Sequence, residues 1–185
     1  MSICNFTKAF YIIYSMLAVF VLAGCVSVAM EGTQAVKSEV VISQNMDAAR
    51  AGNAEAQYKV GNAYCCSIHK DNGIYNTETS VEWLCKSARQ GYTPAMVKLG
   101  KIYSGDMVDG VRLPRRVMQG VVGKSTNLPV AVTWAQLAVQ HGDSDAKELV
   151  SKLWEDMSSS EKNTANQLIA MEYNAPCQWN QVNLN

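Results

Sequence analysis

The stretch Gly52-Asn53-Ala54-Glu55-Ala56-Gln57-Tyr58-Lys59-Val60-Gly61-Asn62-Ala63-Tyr64 returns thirty-nine residues later as Gly91-Tyr92-Thr93-Pro94-Ala95-Met96-Val97-Lys98-Leu99-Gly100-Lys101-Ile102-Tyr103. Gly52 aligns with Gly91, Ala56 with Ala95, Gly61 with Gly100 and Tyr64 with Tyr103. A third pass begins at Gly142, where Ala146 and Val150 keep their columns while Ser151 and Trp154 replace the glycine and tyrosine. Downstream, Ser80-Val81-Glu82-Trp83 and Ser87-Ala88 recur as Ala131-Val132-Thr133-Trp134 and Ala138-Val139. Asp47-Ala48-Ala49-Arg50-Ala51-Gly52 ends like the tail of an earlier, degenerate unit. Whole columns returning at one offset are the mark of repeated supersecondary units.

Each unit has the grammar of a helix pair. Ala56, Val60 and Tyr64 stand at i, i+4 and i+8, one stripe of a helix, as do Ala95, Leu99 and Tyr103. The small residues Ala56, Gly61, Ala95 and Gly100 let neighbouring helices come close, while tyrosine and tryptophan fill the seams. Gly52, Gly91 and Gly142 mark helix stops, where the left-handed conformation is needed. Asn53, Thr93-Pro94 and Asp143 suit the starts that follow, and Thr79 with Glu82 and Ser158 with Glu161 fit capping boxes. The pattern predicts helices near Val40–Ala51, Asn53–Cys66, Thr79–Gln90, Pro94–Ser104, Pro129–Gln140, Ser144–Met157 and Ser160–Met171. The last two form a closing hairpin, with Leu153, Trp154, Met157, Leu168 and Ile169 covering the terminal apolar face. Tyr64, Trp83, Tyr103 and Trp134 are expected in the core rather than in a ligand box.

Val60-Gly61-x-x-Tyr64, Leu99-Gly100-x-x-Tyr103, and the Trp83 and Trp134 segments resemble the Sel-one-like repeat family, a branch of the tetratricopeptide-like helical repeats. The resemblance covers about Asp47 to Met157. Serine stands where that family has alanine at Ser80 and Ser87, and the second loop is twelve residues longer than its counterpart. It implies an all-α fold, a short right-handed α-solenoid of antiparallel helix hairpins, and a role as a protein-binding adaptor or scaffold.

The amino terminus carries a different signal. A single base, Lys8, precedes an apolar run from Ala9 to Ala23 broken only by Ser15, and the run closes on Leu22-Ala23-Gly24-Cys25. A basic start, an apolar core and small residues before the cut describe a secretory signal. A run of this length is short for a membrane span. Leu-Ala-Gly-Cys resembles the lipobox of bacterial lipoproteins, which implies cleavage before Cys25 and diacylglycerol on its thiol. By resemblance to Gram-negative sorting, Val26 rather than aspartate after the lipid cysteine favours the outer membrane, facing the periplasm.

The chain thus divides into a signal (1–24), a lipidated tether (25–46), a repeat domain (47–157) with a loop insertion (104–127), and a capping helix with tail (158–185). Lys+Arg and Asp+Glu number 16 each, so the net charge is zero. Loss of Lys8 leaves one acid in excess, giving no support to nucleic-acid binding. Cys4 leaves with the signal. The exported context favours disulfides among Cys65, Cys66, Cys85 and Cys177. A bond between the neighbours Cys65 and Cys66 is strained and rare, leaving either of them with Cys85 and the other with Cys177. The segment from Pro176-Cys177 to Asn185 reads as a tail that a disulfide would pin back. The competing metal set, Cys66, His69 and Cys85, has weak spacing. No metal, cofactor or small-molecule substrate is expected.

Of the two histidines, His69 falls in a loop and His141 at a helix end, where a cation is welcome. No Gly-x-Ser-x-Gly, His-Glu-x-x-His or phosphate loop occurs, so an enzyme acting on cell-wall material has little support. A protein partner in the cell envelope is expected instead, bound by an adaptor or by an immunity protein that inhibits a toxin or hydrolase; the sequence does not separate these two. The long loop offers Arg112, Arg115 and Arg116 among exposed-looking Val and Met, suited to a carboxylate-bearing partner or an anionic headgroup.

Overall fold

The computed structural model describes residues 35–66, 76–105 and 126–179. The chain forms two compact units, Met1–Val40 and Val41–Asn185. In the first, residues 35–40 are helical. In the second, α1 (residues 41–50) is followed by α2 (Ala54–Tyr64), α3 (Thr77–Ala88), α4 (Thr93–Tyr103), α5 (Leu128–Gln140), α6 (Ala146–Asp156) and α7 (Ser159–Ile169), then a 3-10 turn at Glu172–Asn174. The fold is all-α, with no strand among the described residues. Helix reaches back to residue 35, where a tether was expected through residue 46. Ala35 to Gln44 contains no glycine or proline to stop a helix.

The helix stops share one geometry. Gly52, Gly91 and Gly142 adopt φ of +97°, +86° and +96°. At the first, Gly52 N–H donates to the Ala49 carbonyl at 3.1 Å and Asn53 N–H to Ala48 at 3.0 Å. Gly91 and Tyr92 repeat this on Ala88 and Ser87, and Gly142 and Asp143 on Val139 and Ala138. This is the Schellman closure, which satisfies the last carbonyls and turns the chain into the next helix. The new starts are then capped. Asn53 Oδ1 accepts from Ala56 N–H at 2.8 Å, and Asp143 Oδ1 accepts from Ala146 N–H at 3.1 Å. Pro94 occupies the first turn of α4, where its missing N–H costs nothing.

Thr79 and Glu82 do not form the expected capping box. Asn76 Oδ1 takes the Thr79 N–H at 3.0 Å, so α3 begins at Thr77 and Thr79 lies inside its first turn. Asn127 caps α5 in the same way, through Val130 N–H at 3.2 Å. The Ser158–Glu161 box does form. Glu161 N–H donates to Ser158 Oγ, while Ser158 N–H and O–H both donate to the Glu161 carboxylate. Those bonds hold the Glu161 carboxyl below the usual range, the side-chain bond from Ser158 contributing most.

Packing follows the small residues. Ser80 Oγ donates to the Gly61 carbonyl at 2.7 Å and Ser87 Oγ to Ala54 at 2.7 Å. As one number rises the other falls, so α2 and α3 run antiparallel. Both serines are fully buried, and each hydroxyl is satisfied by an α2 carbonyl. Neither buried hydroxyl is left without a partner. A Cβ on Gly61 would meet Ser80 O at 3.1 Å and Leu84 N at 3.0 Å; a Cβ on Gly100 would meet Ala131 O at 3.2 Å and Ala135 Cβ at 3.3 Å. Ser80 and Ala131 share a sequence column, as do Leu84 and Ala135. The α2–α3 and α4–α5 contacts are therefore made at equivalent positions.

The main core gathers Leu84, Met96, Leu99, Ile102, Tyr103 and Trp134, all fully buried. A smaller cluster joins Ala49, Ala56 and Val60, flanked by Met46, Tyr64 and Trp83. The final pair, α6 and α7, packs against α5 rather than chiefly as a hairpin of its own. It buries Leu153, Met157 and Ala165, with Trp154 and Leu168 partly covered. Among the described residues no helix is long and apolar enough to cross a membrane.

Candidate functional site

Beyond α7 the chain turns back across the helices. Ala175 and Cys177 are buried, and the irregular segment 175–179 lies on α3, α4 and α5 at once. From α3, Cys85 forms a disulfide with Cys177, Cα to Cα 5.9 Å. From α5, Trp134 Nε1–H donates to the Pro176 carbonyl at 3.0 Å. From α4, Tyr103 O–H donates to the Gln178 carbonyl at 3.1 Å, and the Trp179 ring lies 6.5 Å from the Tyr103 ring. Burial pushes the Tyr103 phenol far above its ordinary range, so it remains a protonated donor. At the rim, Tyr173 O–H and His141 Nε2 are 2.6 Å apart.

Two side-chain donors therefore hold two main-chain carbonyls, with one residue between them, of an irregular run. Main-chain carbonyls are common to all residues, so such a seat grips irregular polypeptide with little demand on side chains. Its apolar floor removes the competing water.

The cysteine pairing differs from the expected one. Cys85 is bonded to Cys177, and Cys65 to its neighbour Cys66. The antiparallel register explains why Cys85 does not reach the neighbouring pair. Ser80 opposes Gly61 and Ser87 opposes Ala54, so Cys85 sits opposite Ala56, nine residues from Cys65. At the helical rise this is about 13 Å, well beyond disulfide reach. The expectation that Cys177 pins back the tail agrees with the structure.

Tyr103 and Trp134 are fully buried, as expected of core residues. Tyr64 and Trp83, from the same columns one unit earlier, are only half-buried. The Lys86 ammonium stands 4.3 Å from the centroid of the Trp83 ring. His141 is the C-cap of α5, at the helix end as expected. Among the described residues no group of three or more His, Cys, Asp or Glu is placed to hold a metal ion. Cys25, His69, Arg112, Arg115 and Arg116 lie outside the described residues, as do the signal segment 1–24 and most of the loop insertion. The two ends of that insertion are described. Asn127 N–H donates to the Tyr103 carbonyl at 2.8 Å, just as Asn76 N–H donates to Tyr64 at 2.9 Å across the shorter loop. Compared with protein-family models, with curated proteins and with solved structures, the chain matches none.

Proposed function

We propose that this protein is a bacterial envelope lipoprotein, anchored through Cys25 and facing the periplasm from the outer membrane, that binds a protein partner through a short right-handed solenoid of Sel-one-like repeats. Its role is that of an adaptor or scaffold, with no catalytic step of its own. The Leu22-Ala23-Gly24-Cys25 box supports the anchor. Three like Schellman closures, two like asparagine caps and two like glycine contacts, all at matching sequence columns, support the repeat.

The observation that carries the binding role is the seating of residues 175–179. A seam of this stack holds an irregular polypeptide segment by its main-chain carbonyls. Protein segments are the ligands that helical-repeat surfaces commonly take. The loop insertion supplies the specific contact, with Arg112, Arg115 and Arg116 offering forked donors to partner carboxylates. The described ends of this insertion are closed by the same hydrogen bond as those of the shorter loop, so α5 starts as α3 does.

In-cell crosslinking followed by mass spectrometry tests this function, comparing wild type with a deletion of Met107 to Lys124. An envelope protein is expected to copurify with the wild type and to be lost on deletion. The same partner in both samples would move the contact from the loop to the helical surface. No specific partner in either would contradict the adaptor role.

A further inference from the structure

The seat of the C-terminal segment has an equivalent one unit earlier. Met46, Tyr64 and Trp83 occupy the columns of Cys85, Tyr103 and Trp134, at offsets of 39, 39 and 51 residues. The second set is covered by residues 175–179 and is 4%, 0% and 0% exposed. The first set flanks a single apolar cluster of Ala49, Ala56 and Val60, and all three of its members are half-buried. Tyr103 O–H and Trp134 Nε1–H donate to carbonyls of the tail. Among the described residues neither Tyr64 O–H nor Trp83 Nε1–H has a hydrogen-bond acceptor; the Lys86 ammonium lies over the Trp83 ring. Backbone closure at the two places is nonetheless alike, since the Tyr64 and Tyr103 carbonyls each accept from the asparagine that caps the next helix.

We infer that Met46, Tyr64 and Trp83 form a second polypeptide seat, which takes a non-helical segment of a partner protein in the manner that residues 175–179 take the first. The occupant offers two main-chain carbonyls separated by one residue, to receive Trp83 Nε1–H and Tyr64 O–H. It carries an aromatic residue directly after the second carbonyl, as Trp179 follows Gln178 against Tyr103. The tail of the same chain cannot serve both places, because Cys177 is bonded to Cys85. A tail from a second copy is excluded by the same bond. Met46 stands where the first seat has its cysteine, so the occupant is held without a covalent link and exchanges freely. This inference rests on the protein-binding role proposed above and assigns that role a surface.

The probe is a fluorescein-labelled peptide with the sequence of residues 174–181 carrying Cys177→Ser, titrated by anisotropy against the full lipidated chain in detergent. Saturable binding at or below about millimolar concentration is expected. Tyr64→Phe and Trp83→Phe, which keep the rings and remove one donor each, should each weaken it about fivefold. Absence of saturable binding, or equal affinity in the Tyr64→Phe/Trp83→Phe double variant, would overturn the inference. Crosslinking of the bound peptide to α4 or α5 rather than to α1, α2 or α3 would place it at the first seat and overturn it too. A partner found by crosslinking while the peptide fails would leave the adaptor role standing and remove only this surface.

Discussion

The Cys85→Ala/Cys177→Ala variant is expected to lose about 4 kcal/mol of stability in urea denaturation at neutral pH without reductant. The bond joins residues 92 apart in sequence, and a closed loop of that size restricts the unfolded chain strongly. Further loss follows if the freed segment leaves its seat. Trp134 Nε1 and Tyr103 Oη would lose the carbonyls of Pro176 and Gln178, and two fully buried aromatic rings would meet water. A domain of this size has about 5–15 kcal/mol in all, so the variant should be near the edge of folding. A midpoint that moved by less than the equivalent of about 1 kcal/mol would show that the segment contributes little to the folded state.

Gly61→Val is expected to cost about 3 kcal/mol by the same measurement. Even one added carbon would lie 2.8 Å from Leu84 Cγ, 3.0 Å from Leu84 N and 3.1 Å from Ser80 O. Two of these are backbone atoms of α3, so relief requires the two helices to separate. Separation would also stretch the Ser80 Oγ bond to the Gly61 carbonyl. Gly100→Ala should be nearly neutral. Its nearest contacts are 3.2–3.4 Å, and alanine gains about 1 kcal/mol of helix propensity over glycine. Equal tolerance of Gly61→Val and Gly100→Ala would contradict the close approach of α2 and α3.

The helices and their stops were legible because repetition supplies a control that single stripes lack. Gly52, Gly91 and Gly142 could be read as left-handed stops, since each closes one stripe and precedes another. Asn76 and Asn127 carried a usable signal that was missed. They stand 51 residues apart, the same offset as Trp83 and Trp134, and asparagine is a stronger cap than the threonine that was preferred. The disulfide pairing was not legible. Which thiols meet depends on helix register, and the register is set by Gly61 against Ser80 rather than by spacing along the chain.

The seat itself left only Cys177 as a trace. Its remaining acceptors are the carbonyls of Pro176 and Gln178, which have no sequence signature. Trp83 and Trp134 read identically, and so do Tyr64 and Tyr103. Their different burial depends on a segment that follows α7, remote in sequence from both units. Conversely, Cys25 and the arginines of the insertion are legible only as sequence.

The seated tail, and with it the comparison between the two aromatic seams, stands on one covalent fact. Mass mapping of the non-reduced protein tests it most directly. A crosslinked pair of peptides joining Cys85 to Cys177 is predicted, with Cys65 and Cys66 oxidised within one peptide. Cys85 joined to Cys65 or Cys66, or recovered as a free thiol, would contradict the account.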